Sequence, residues 1–206
     1  MSLMKSLMNL GINRRLWSIV FRCLLLASAC AAVTQVQASA FYQDDPKEFE
    51  TQIQKYLALQ KKAVGSVPSI PRENADAALI AKHEKQVADA IRAARPNAKQ
   101  GEIFTPGVRR LITMTLKQTL EGKEGAAAKA TILGDGNPKA EGSPEPVNLA
   151  VNSTYPISAP FSTVPPSVLM ALPPLPKELE FRFVGRNLIL RDTKANMIVD
   201  VLPEAF

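Results

Sequence analysis

The sequence predicts an α+β fold: a small antiparallel helical bundle, a Pro-rich linker, and a three-stranded C-terminal antiparallel sheet. Three observations predict it. Apolar residues recur at helical spacing in three stretches between residues 45 and 122, each with start and stop signals. Ten of the 16 prolines fall between Pro138 and Pro176. Residues 177–206 read as short alternating strands around tight-turn dipeptides.

The first forty residues are set apart by composition. They hold Lys5, Arg14, Arg15 and Arg22, no acidic residue, and both cysteines, Cys23 and Cys30. A basic n-region over residues 1–22 leads to the apolar run Cys23–Val33 and then to Ala38-Ser39-Ala40. That order is the pattern of a cleavable signal peptide, with cleavage expected between Ala40 and Phe41. As a helix the apolar run would rise only about 16 Å, against about 30 Å of hydrocarbon, so an export signal fits better than an anchor. Ala27-Ser28-Ala29-Cys30 resembles a lipoprotein box and Arg14-Arg15 a twin-arginine signal, though both depart from those patterns. The expected location is therefore the periplasm or the extracellular medium, with no transmembrane span once the signal is removed.

Past residue 40 the charge is nearly balanced, 21 basic residues against 19 acidic out of totals of 25 and 19, and cysteine is absent. This excludes a disulfide framework, a thiol nucleophile and cysteine-ligated metal. His83 stands alone, so a multi-histidine metal site is excluded too. Near-neutral charge gives no footing for nucleic-acid binding.

Residues 41–122 form the expected helical module. Asp45-Pro46-Lys47-Glu48 has a capping acid, proline at the first helical position and Glu three residues after the cap. Phe49, Ile53, Tyr56, Leu57 and Val64 line one face, and Gly65 stops the helix. A second helix is expected over Ala75–Ala94, with Asn74 as cap, Ile80, Val87, Ile91 and Ala94 as its stripe, and Pro96 beyond it. A third starts at Thr105-Pro106 and buries Val108, Leu111, Ile112, Leu116 and Leu120 before Gly122.

Residues 123–176 read as a Gly/Pro-rich linker. Lys123–Glu145 is expected to be disordered, and part of Tyr155–Pro176 to pack as extended chain. In the C-terminal meander, 177–206, Leu179-Glu180-Phe181-Arg182-Phe183 alternates apolar and charged residues, and Gly185-Arg186 suits a two-residue hairpin loop. That loop pairs Val184 with Asn187, Phe183 with Leu188, Phe181 with Leu190 and Glu180 with Arg191. A loop at Thr193–Asn196 brings in Met197–Leu202, which sets Asp200 opposite Ile189 beside Arg182 and puts Val199 and Val201 on the apolar face. The helices are expected to cover that face.

Two blocks carry a resemblance. Ala88–Pro106 with Arg109-Arg110-Leu111-Ile112, and Pro173–Phe206, resemble two blocks found in a group of exported bacterial proteins of unknown function. The resemblance implies a bacterial envelope or secreted protein and brings no catalytic residue, substrate or cofactor with it.

Candidate chemistry is sparse. His83 lacks a convergent carboxylate and nucleophile, and no Gly-x-Ser-x-Gly elbow occurs. Gly134-Asp135-Gly136-Asn137 lacks the ligand spacing of a calcium loop. Asp192 and Asp200 flank the last hairpin and are the pair on which a carboxylate-dependent hydrolase of an envelope polymer would depend. Arg182, Arg186 and Arg191 are the candidate binding residues for an anionic surface ligand. For Arg182 and Arg191, pairing with Asp200 and Glu180 is the simpler expectation, whereas Arg186 at the hairpin tip has no expected partner. The reading is a non-enzymatic interaction protein that needs no cofactor, whose partner is an envelope protein or an anionic ligand.

Overall fold

The computed structural model describes residues 45–70, 76–135, 148–156 and 162–206. The expected signal peptide and its cleavage point at Ala40 and Phe41 lie outside the described residues. Helix α1 covers residues 45–65 and is helical from the first described residue, Asp45. Its buried positions Phe49, Ile53, Tyr56, Gln60 and Ala63 are spaced alternately four and three apart, which keeps them on one face.

Helix α2, Ala77–Ala94, begins two residues later than expected. Its cap is Asp76, whose carboxylate accepts from the Leu79 amide at 2.7 Å. Only its C-terminal half is buried, at Val87, Ala88 and Ile91, while Ile80 is 42% exposed. Helix α3, Pro106–Thr119, is capped by Thr105 as its sequence indicates and buries Val108, Ile112 and Leu116.

Helix α4, Gly122–Asp135, is the main correction to the linker reading, because Lys123 to Asp135 is helical where composition suggested disorder. The run Ala126–Ala128 supplies strong helix formers, and Ala128 and Ile132 are buried against the core. The rest of the stretch expected to be disordered, up to Glu145, falls outside the described residues from Gly136. Gly122 turns the chain with φ +71°, and Gly125 sits where a Cβ would lie 2.4 Å from the Leu120 carbonyl carbon, so the α3–α4 turn admits glycine alone. A short helix α5, Pro166–Ala171, also interrupts the Pro-rich region, with Val168 and the following Leu172 buried.

Strands β1 (Leu179–Val184), β2 (Asn187–Asp192) and β3 (Met197–Leu202) form one antiparallel sheet in that order. The β1–β2 register agrees with the sequence expectation at every pair. The β2–β3 register agrees through Arg191↔Ile198 and then shifts at Leu190/Arg191, so that Asp200 lies opposite Leu190 and Val201 opposite Ile189. The extra residue is a β-bulge at Val199, and one inserted residue reverses the facing of all that follow. Val201 accordingly leaves the helix-facing core for a second cluster on the outer face, with Tyr155, Val184, Ile189 and Ile198.

The helices gather on the opposite face. Phe49 of α1 and Phe104, just before α3, both stack on Phe181, at 6.3 and 6.5 Å between ring centroids. Val87, Ile112, Ile132 and Val168 from the other four helices join Phe183, Leu188 and Leu190 in one cluster. The segment 152–155 pairs along β3, through Asn152 N–H to the Ile198 carbonyl at 2.8 Å and Ile198 N–H to the Ser153 carbonyl at 2.9 Å.

Candidate functional site

Both aspartates that a hydrolase would use are fully buried and saturated with donors. Asp192 Oδ2 accepts from the Tyr56 hydroxyl at 2.7 Å and Gln60 Nε2 at 2.6 Å, and its Oδ1 from the amides of Lys194 and Ala195 at 2.8 and 3.0 Å. Asp200 Oδ1 accepts from the amides of Gly101 and Val201, and Oδ2 from those of Ile103 and Phe104, all at 2.8 Å. The expected Arg182–Asp200 pair is replaced by these bonds, because the bulge turns Asp200 toward the helices and away from Arg182. With four donors on each carboxylate, both act as organisers of backbone and helix position rather than as accessible acids or bases.

Tyr56 is part of the same buried network. Burial pushes its phenol far above the ordinary tyrosine range, and the charge and hydrogen bond of Asp192 push it further, with only partial opposition from Arg95. The Arg95 guanidinium lies 5.3 Å from the Tyr56 ring centroid and donates to Glu102 at 2.9 Å. The sequence held a signal for this arrangement. Gln60 falls on the apolar stripe of α1, one turn after Tyr56, and a polar residue on a buried stripe demands a partner.

The three candidate arginines do not converge on one open anion site. Arg182 and Arg191 both donate to Glu180, Arg182 at 2.7 Å, and Arg191 also holds Asn196 Oδ1 at 3.0 and 2.8 Å. The expected Glu180–Arg191 cross-strand pair is therefore present. Burial works against the charge of Glu180, yet the hydrogen bonds from the two arginines outweigh it and hold the carboxyl below its usual range. Tyr155 packs on this outer face; burial raises its phenol, while Arg191 and Arg182 pull it back.

Arg186 does have partners, contrary to expectation. It donates to Glu204 at 2.5 Å and to the main-chain oxygen of Phe206, and its guanidinium lies 5.3 Å from the Phe206 ring. The turn after β3 folds residues 203–206 back over the first hairpin, where Ala205 N–H reaches the Arg186 carbonyl at 2.9 Å. Phe206 then meets Phe183 edge to face at 5.6 Å. His83 is half-buried on α2.

Clefts open on the surface among the described residues. One, of about 630 Å³, lies between α2 and the 154–156 segment, lined by Glu84, Lys85, Arg92, Thr154 and Tyr155 among others. Its cations are engaged, with Lys85 and Arg92 both on Asp89 at 2.8 Å. Another, of about 640 Å³, lies beside β1, with Val164, Leu169 and Pro173–Pro176 as apolar wall and Glu180 and Arg182 at its outer rim. Neither is lined by Asp192 or Asp200. Leu169, which lines this cleft, is 54% exposed, and the neighbouring Met170, outside it, is 86% exposed. Among the described residues no group of three or more His, Cys, Asp or Glu side chains is arranged to hold a metal ion, and no helix is long and apolar enough to cross a membrane. Comparison of the chain with protein-family models, curated proteins and solved structures finds no match.

Proposed function

We propose that this chain is an exported bacterial protein, periplasmic or secreted, that works by binding another envelope protein rather than by catalysis. The observation that carries the reading is the contrast between its buried carboxylates and its open cleft. Asp192 and Asp200 are each held by four donors within the fold, whereas the cleft beside β1 offers Leu169 to solvent. The signal-like start and the resemblance of two blocks to those of exported bacterial proteins support the location. The engagement of Arg186 with Glu204 and Phe206, and of Arg182 and Arg191 with Glu180, favours a protein partner over an anionic surface ligand.

Two measurements test this. Intact mass of the exported form should match a chain that begins at Phe41; a mass that retains residues 1–40 overturns the export reading. In-cell photo-crosslinking from exposed positions, Leu169 and Met114, should yield a specific adduct with an envelope protein. Silence at both overturns the binding reading.

A further inference from the structure

The two edges of the sheet differ. The outer edge of β3 is paired by residues 152–155, whereas β1 has no strand beside it among the described residues. The closing pair Val184↔Asn187 fixes which way each main-chain group of β1 points. Groups of Glu180, Arg182 and Val184 turn to β2, and those of Leu179, Phe181 and Phe183 turn outward. Two observed bonds agree with this: Leu179 N–H donates outward to the Pro176 carbonyl at 3.0 Å, and the Phe183 carbonyl accepts from Ser162 Oγ at 2.9 Å. The Leu179 carbonyl and both main-chain groups of Phe181 are left without a partner among the described residues.

The cleft beside β1 runs along this edge. Leu179, Glu180, Phe181 and Arg182 all line it. Four consecutive strand residues share a cleft only when it follows the edge, because a cleft above a face would meet alternate residues. The facing wall is poor in donors, since three of the four residues Pro173–Pro176 have no N–H. We propose that this edge receives an extended peptide from a partner protein, added to β1 as a strand, which rests on the binding reading above and specifies its mode. Alternate side chains of such a peptide meet different surroundings. One set faces Val164 and Leu169 and calls for apolar residues. The other faces the rim, where Glu180 is paired with Arg182 and exposed Lys177 adds a cation. The partner segment is therefore a short run of alternating apolar and acidic residues.

The test uses the isotope-labelled mature chain and a pool of synthetic peptides of about eight residues, long enough to span one edge strand, that alternate Val, Ile or Leu with Asp or Glu. A member of the pool should shift the amides of Leu179–Phe183 and slow hydrogen exchange at Phe181. N-methylation on the peptide edge that faces β1 should weaken binding about ten-fold, the loss expected for two main-chain hydrogen bonds, and methylation on the far edge should not. Leu169→Lys, at an exposed position, should weaken binding several-fold without changing Tm. No binding tighter than about 1 mM across the pool, shifts confined to α2, or equal sensitivity of both peptide edges overturns the proposal. A concentration-dependent dimer that pairs β1 with β1 overturns the assignment to a partner. A photo-crosslinker at Leu169 that stays empty while one at Met114 captures an envelope protein removes the edge site and leaves the binding reading standing.

Discussion

The two hairpins of the sheet share β2 but are set by different forces. In the first, Gly185 at φ +58° closes a two-residue loop, and the register runs from it without interruption. In the second, Asp192 caps its own turn through the amides of Lys194 and Ala195, and the register holds only as far as Arg191↔Ile198. Beyond that point Asp200 is turned inward by amides of residues 101–104, which lie 96 to 99 residues away in sequence. A hairpin register is thus local while turn chemistry governs it, and becomes a tertiary property once a buried charge is claimed from elsewhere. Inserting one residue at Val199 is the geometric cost of letting that claim succeed.

Perturbations at matched positions separate the two mechanisms. Phe183→Ala should have the largest effect, about 3–5 kcal/mol, because the ring is fully buried in the core of the first hairpin and touches Phe206. Helix and sheet signals in a denaturant melt should be lost together, since both share one cluster; separate transitions would mean two cores. Asp200→Ala should cost about 3 kcal/mol by leaving buried amides without an acceptor. Asn at that position should recover only part of the loss, because its NH2 group faces donors. Hydrogen exchange at Ile103 and Phe104 should rise in both variants, while the amides of the first hairpin change little.

Tyr56→Phe probes the turn of the second hairpin and should cost about 1.5–3 kcal/mol near neutral pH, the value of a hydrogen bond to a charged group. The folded chain holds the Tyr56 proton well past the pH at which an unfolded tyrosine loses it, so its contribution is complete below about pH 10 and falls as pH rises further. The alkaline decline in stability should be shallower in the Phe variant, and an unchanged slope would contradict the buried phenol. Glu180 works in the other direction. Its lowered folded value gives stability that is present above the ordinary glutamate range and disappears as pH drops, so Glu180→Gln should flatten the acid side of the profile. Arg186→Ala should do least, about 0–1 kcal/mol, because Arg186 and Glu204 are 43% and 69% exposed. A larger loss would show that the clamp on Phe206 matters more than its surface ion pair.

The α+β order, the three early helices and the first hairpin were legible because each rests on signals within a few residues: Thr105-Pro106, the stripe of α1, Gly185-Arg186. Helix α4 was not, because its glycines and the neighbouring prolines lower any local estimate, and the burial of Ala128 and Ile132 that repays the helix comes from distant chain. The inward turn of Asp200 was equally hidden, as its donors are loop amides with no sequence signature. The Glu180–Arg191 pair was legible from the hairpin register, but not the Arg186–Glu204–Phe206 contacts, which exist only once the chain has turned back after β3. Gln60 on its apolar stripe was the one readable hint of the Asp192 network.

The bonds from Asp200 to the 101–104 loop have a consequence for the order of events during biosynthesis. A ribosome that has made α1 through α4 has produced a chain whose apolar stripes face water and whose 101–104 amides have no acceptor. Both deficits persist until β3 has emerged, because the sheet that covers Phe49, Ile112 and Ile132 and the carboxylate that anchors the loop follow the helices in the chain. Contacts of such long sequence separation close late. The nascent chain therefore cannot complete this core, or satisfy the amides of residues 101–104, before β3 has left the ribosome.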